Sequence, residues 1–145
     1  MGHIKTRLIL KNLDDIKQAE KGKLPEREIR QAEVEVMVDT GATTLIINEE
    51  LFERLGLDAR SEREITFAND AQEICKLTDP VEIHWENRSI AMPALVVKEA
   101  SEMLLGVLPL EGMDLMVDPV RQKLIGAHGD QVVYLAKKRA LQTPL

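Results

Sequence analysis

Aromatic residues make up only 3% of this 145-residue chain, and Cys75 is its one cysteine. So few aromatics cannot furnish the stacking platforms on which bases or sugars are held. A lone thiol forms no internal disulfide and leaves a four-ligand structural zinc site unfilled, so Cys75 reads as a half-buried thiol rather than a nucleophile. Positive charge is in the minority: 19 Lys and Arg stand against 25 Asp and Glu, for a formal net charge of −6. Without a basic face to meet phosphate, nucleic acid is not an expected partner. No apolar run reaches the roughly 18 residues that a spanning helix needs, and no signal-peptide core is visible. The expected setting is therefore cytoplasmic, with no membrane partner. Met1, Gly2 and Thr6 fit a myristoylation pattern formally, but Ile4, Leu8 and Leu10 read as the first strand.

What is present describes an ordinary globular chain. Hydrophobic residues are 44% and charged residues 30%, and a chain this long is expected to form one domain, residues 1–145, with a substantial core. Residues 4–11 have strand composition, and residues 12–22 carry a polar start, helix formers and a closing glycine. In residues 28–38, Val34, Val36 and Val38 share one face of a strand, with Glu33 and Glu35 on the other. Leu45-Ile46-Ile47 is a short apolar strand. Residues 48–56 make the clearest helix, with Asn48 to cap it and Gly56 to stop it. Two hairpins follow, one turning at residues 68–71 and the other, pairing residues 81–85 with 89–97, at residues 86–88. Residues 103–106 read as an apolar strand ending in glycine and residues 107–113 as a short helix. Residues 115–117 pair with 123–125, residues 132–135 form a last apolar run, and Lys137-Lys138-Arg139 is a solvated end. The sum is mainly β with one or two short helices.

The stretch that bears on function is VDTGATT, residues 38–44, where an alternating strand ends in a carboxylate, a hydroxyl and a glycine. Three readings compete. A turn needs nothing more than the glycine. A phosphate cradle would use Asp39-x-Gly41-x-Thr43 as in the actin, hexokinase and sugar-kinase fold. That fold needs two large lobes and a second phosphate loop, whereas here a helix follows within a few residues. The third reading is a carboxylate that activates water.

Residues Val38 to Ala42 look like the active-site turn of the retroviral-type, retropepsin-like aspartic proteases, nearest to the bacterial single-domain members of that clan. Residues 67–73 fall where the family's flap belongs, residues 83–97 where its second hairpin belongs, and Leu104-Leu105-Gly106 matches its apolar-apolar-glycine element. The resemblance spans about residues 33–125. It implies a mainly β, closed acid-protease barrel with one lobe per chain, and a peptide or protein substrate hydrolysed without metal or organic cofactor. Asp39 would be catalytic, Thr40 would brace the neighbouring loop and Gly41 would form the turn. Met37, Ala42, Ile46, Phe67, Ala68, Asn69 and Leu104 would line the substrate cleft. Residues 12–25 are then an N-terminal insertion and residues 127–145 a C-terminal tail.

Two carboxylates held close together share one proton and divide the acid and base roles. This chain has a single Asp-Thr-Gly, because Asp114, Asp118 and Asp130 lack the Thr-Gly that would make a second. A dyad therefore requires a homodimer with Asp39 facing its symmetry mate. Ala42, where pepsin-like enzymes carry serine, removes a hydroxyl from the site and moves the expected working range to weakly acidic or near-neutral pH. The flap tip, residues 68–71, has no glycine, although Asn and Asp tolerate such a turn. His3, His84 and His128 are scattered singly and read as surface or hairpin positions. A catalytically silent dimer of the same fold, binding peptides without cutting them, is the alternative in another class.

Overall fold

In the computed structural model, which describes residues 4–133, the chain opens with an antiparallel pair. Strand β1 (Lys5–Asn12) runs against β2 (Gln31–Val38), with Leu8 opposite Val34 and Leu10 opposite Ala32. Period-two alternation is the cause: Leu8, Leu10, Val34 and Val36 are buried, while Glu33 and Glu35 remain exposed. Between the two strands lies α1 (Leu13–Glu20), begun by Asn12, whose side-chain oxygen accepts from the Asp15 amide at 2.9 Å. A left-handed Gly22 (φ +73°) and a 3-10 turn at Glu26–Glu28 return the chain to β2.

After the VDTGATT loop come β3 (Leu45–Ile47) and α2 (Glu49–Arg54). Asn48 caps α2 by accepting from the Leu51 amide at 2.9 Å, and Gly56, at φ +63°, stops it. Then follow β4 (Ala59–Thr66), β5 (Gln72–Thr78), β6 (Val81–Trp85), β7 (Arg88–Met92), β8 (Ala94–Val96) and β9 (Met103–Leu105). Helix α3 (Val107–Gly112) and the hairpin β10 (Leu115–Asp118) and β11 (Lys123–Gly126) complete the described elements.

The first nine strands form one sheet in the order β4-β5-β8-β3-β9-β2-β1-β6-β7, and β10 and β11 form a separate pair. Most neighbours are antiparallel, but β2 pairs with β9, and β3 with β8, in parallel. The core gathers Leu8, Leu10, Leu45, Ile47, Ile83 and Leu105 from the sheet with Leu51 and Leu55 from the α2 region and Leu110 and Met113 from the α3 region. Each such side chain contributes about 1.5–3 kcal/mol by leaving water.

The mainly β expectation is met, with α1 added to the short helices after β3 and after Gly106. The second hairpin differs from the sequence reading. Residues 89–97 are two strands, because Pro93 has no amide to donate and breaks the ladder. β7 stays with β6, and β8 leaves to join β3 and β5. Residues 131–133, which include the start of the last apolar run, are irregular. His3, the myristoylation pattern at Met1-Gly2, Tyr134-Leu135 and Lys137 to Arg139 lie outside the described residues.

Candidate active site

Strand β2 delivers Asp39 to the start of the loop and neighbouring chain segments pin it there. The Val38 amide donates to Ile4 O at 2.8 Å on one side, and the Asp39 amide donates to Leu105 O at 3.0 Å on the other. The loop then folds back on the carboxylate: Gly41 N donates to Asp39 Oδ1 at 2.9 Å, and Ala42 N to Asp39 O at 3.0 Å. A Cβ on residue 41 would stand 3.1 Å from that same Oδ1, which is why glycine suits the position.

The far side of the loop is clamped by the chain entering α3. Val107 N donates to Ala42 O at 2.9 Å, Leu108 N to Thr43 O at 2.9 Å, and Gly106 N to Thr44 O at 3.0 Å. The approach is so close that a Cβ at Gly106 would lie 2.5 Å from Thr44 O and 2.6 Å from Ala42 O. Thr44 adds a side-chain tie, its hydroxyl donating to Pro93 O at 3.0 Å. The outer rim is open: Asp39 is half-buried, whereas Thr40 and Gly41 are exposed. The carboxylate is thus oriented by a backbone amide on a rigid loop whose free edge faces outward.

The expected cleft residues fall into two groups. Met37 pairs with Leu104, and Leu104 with Ile46, so three half-buried apolar side chains form one row across β2, β9 and β3. Ala42 sits half-buried in the loop beside them in sequence. The others ride on the β4–β5 hairpin, with Phe67 half-buried and Ala68 and Asn69 exposed at its tip. That tip closes without glycine. Phe67 N donates to Ala71 O at 2.8 Å, Asn69 Oδ1 accepts from Ala71 N at 3.1 Å, and Asp70 takes the left-handed position at φ +65°.

The family model described as "gag-polyprotein putative aspartyl protease" matches residues 26–111, a stretch that holds Asp39, Thr40 and Gly41. The chain belongs to that family. Its fold is retropepsin-like: it is similar to the protease of EIAV, solved in complex with the inhibitor HBY-793. The identity is 18%, the TM-score is 0.53, and the match covers 77% of this chain and 88% of that one. No curated protein matches. Family membership over the Asp-x-Gly-x-Thr turn replaces the phosphate-loop reading.

Several residues that matter to this aspartic-protease framework carry no signal in the sequence. Thr44, Pro93, Val107 and Leu108 hold the catalytic-motif loop through contacts that no motif announces. Asp114, noted in the sequence only for lacking Thr-Gly, anchors the end of the described chain. Its carboxylate meets His128 Nδ1 at 2.8 Å and accepts from Val133 N at 3.0 Å. The hydrogen bond from His128, and then that from Val133, hold the carboxyl below the usual carboxylate range. Buried Arg88 donates to the carbonyls of Met113, Asp114 and Gly129. Cys75 is 2% exposed, and burial pushes its thiol up, the opposite of what a nucleophile needs. Among the described residues no helix is long and apolar enough to cross a membrane.

Proposed function

We propose that the chain is an aspartic endopeptidase acting as a homodimer, with Asp39 and Asp39 of the partner subunit forming the catalytic dyad. The observation that carries this reading is the loop itself. A single Asp-Thr-Gly presents a half-buried carboxylate, oriented through Oδ1 by the Gly41 amide, on an outward-facing edge. One such carboxylate cannot serve as both base and acid.

Water is a weak nucleophile towards a peptide carbonyl. In the dyad the ionised carboxylate takes a proton from the water, while the protonated one donates to the carbonyl oxygen. The tetrahedral adduct then collapses as the amide nitrogen is protonated and the C–N bond breaks. Thr40, exposed in the single chain, braces the two loops across the dimer axis. Met37, Ala42, Ile46 and Leu104 floor the cleft, and the hairpin tip at Phe67, Ala68 and Asn69 covers it. The floor favours apolar residues beside the cut. Metal and organic cofactors have no part in this scheme.

The test is cleavage of a mixed peptide library between pH 4 and 7 by wild type and Asp39→Asn, with sedimentation to read the assembly. Products from the dimeric wild type alone are expected. A strict monomer at every concentration refutes the dyad. An intact dimer that cuts nothing indicates a peptide-binding module instead.

A further inference from the structure

Helix α1, between β1 and β2, walls a cavity of about 590 Å³, and none of Asp39, Thr40 and Gly41 lines it. Its volume lies within the roughly 300–1,000 Å³ typical of ligand sites. Leu13 and Lys17 come from α1, Asp58 and Arg60 from the start of β4, Leu77 from β5, and Pro93 from the corner between β7 and β8.

The walls are held in place by the protein's own bonds. Asn12, 4% exposed, donates through its side-chain amide to Leu55 O at 2.9 Å and Gly56 O at 3.3 Å, fastening α1 to the end of α2. Arg30 grips Asp15 in a fork, Nε to Oδ2 at 2.8 Å and Nη2 to Oδ1 at 2.9 Å. Arg60 projects from an irregularity in the β4–β5 register, between Ala59 and Ser61, on the edge strand of the sheet.

Two of these walls lead to the catalytic-motif loop. Leu77 pairs with Leu95, and Leu95 with Ile46, so the apolar row Met37–Leu104–Ile46 continues across β8 and β5 to the cavity. Pro93 accepts the hydroxyl bond of Thr44 at 3.0 Å. The lining is an apolar floor of Leu13, Leu77 and Pro93 rimmed by charges of both signs, Lys17, Arg30 and Arg60 with Asp14, Asp58 and Asp79, of which Arg60 and Asp79 stand 3.5 Å apart. A phosphate-like anion would meet as many carboxylates as cations, and a lipid would meet too much charge. An extended polypeptide, with apolar and polar side chains in succession, matches both.

We infer that this cavity is an exosite holding a segment of the polypeptide substrate that lies beyond the residues in the cleft. The inference rests on the peptide-cleaving reading of Asp39 and deepens it. The experiment compares the full chain with the double variant Lys17→Glu, Arg60→Glu, both of whose native side chains are exposed. The probes are a short fluorogenic peptide that fills the cleft and the same peptide lengthened by about eight residues, roughly 26 Å of extended chain. The expected result is a KM raised about three- to tenfold for the long peptide, with its kcat and all short-peptide kinetics unchanged. Equal effects on both peptides, or on neither, overturn the exosite.

A second arm uses Asp39→Asn as an uncleaving host and reads anisotropy of the labelled long peptide with and without the charge reversals. Weaker binding on reversal supports the exosite even if the wild type cuts nothing, and unchanged binding overturns it. Deleting residues 134–145 completes the test. Tighter long-peptide binding then makes the chain's own tail the occupant and overturns the substrate reading, whereas no change supports it.

Discussion

Replacing Gly106 by alanine adds one methyl group at the point where α3 meets the catalytic-motif loop. The backbone there, φ −89° and ψ −174°, is extended and open to any residue, so conformational strain does not enter. Contact does. The new Cβ would lie 2.5 Å from Thr44 O, 2.6 Å from Ala42 O and 2.7 Å from Thr43 C, whereas ordinary contact begins at 3.4 Å. All three are backbone atoms, so no side chain can swing aside, and loop and α3 must separate by almost an ångström. That separation strains the bonds from Gly106, Val107 and Leu108 amides to the loop carbonyls. Overpacking of this kind costs about 1–3 kcal/mol, and each of the three weakened hydrogen bonds up to about 0.5–1.5 kcal/mol, for a loss of about 3–7 kcal/mol. In the proposed dyad the same displacement would move Asp39 relative to the scissile carbonyl, and an error of about 1 Å costs on the order of a hundredfold in rate. Urea unfolding measures the first quantity and peptide cleavage by the surviving folded fraction the second. Gly22→Ala is the control, because residue 22 has no neighbour within 4 Å and its φ of +73° tests backbone conformation alone. If Gly106→Ala unfolds within 0.5 kcal/mol (a cut-off on the order of an unremarkable surface change) and cleaves as wild type does, the clamp is not what positions the loop.

Three other outcomes are expected. Asn12→Ala removes the α1 cap and both bonds to the end of α2, and it should cost about 1–3 kcal/mol in urea unfolding and loosen residues 13–25 to hydrogen exchange. The Arg30 hydrogen bond holds the Asp15 carboxyl below its ordinary value. Because the folded value is depressed, the stabilisation is complete above the ordinary carboxylate range and is lost as pH falls through the folded value. Thermal melts between pH 6 and 2 should therefore decline in the acid limb, and Asp15→Asn should flatten that limb; an unchanged slope refutes the pairing. Co-expressing Asp39→Asn with wild type should depress cleavage in proportion to mixed dimers, whereas activity that follows wild-type content alone would show that each chain works singly.

Much of the chain is legible from neighbouring residues. Alternation in residues 31–38 marks β2 and its buried face, because the pleat puts every second side chain on the core side. Asn12 and Asn48 announce helix starts, and Gly56 a stop, because the bonds and dihedrals involved lie within a few positions. The Asp39-Thr40-Gly41 turn is also local, since the Gly41 amide reaches the carboxylate two residues back. The Ala68–Ala71 turn is legible for the same reason: Asn69 and Asp70 tolerate the conformations that close it without glycine. The split at Pro93 could have been read from its missing amide, and Pro93 is the signal that reading residues 89–97 as one strand overlooked.

Partner choice lies beyond local pattern. β9 runs parallel to β2 behind Asp39, across more than sixty residues, and nothing in the Met-Leu-Leu triplet selects that neighbour over another apolar strand. The bonds from the Val107 and Leu108 amides and the Thr44–Pro93 bond exist only because the folded sheet brings distant segments within 3 Å or so of each other. By itself the sequence determined where most strands alternate, where helices begin and which carboxylate follows β2, because those depend on periodicity and short-range hydrogen bonding. Which carbonyls the α3 amides clamp, and which cavity α1 walls, were decided only by tertiary packing, where burial rewards any apolar match and geometry chooses one.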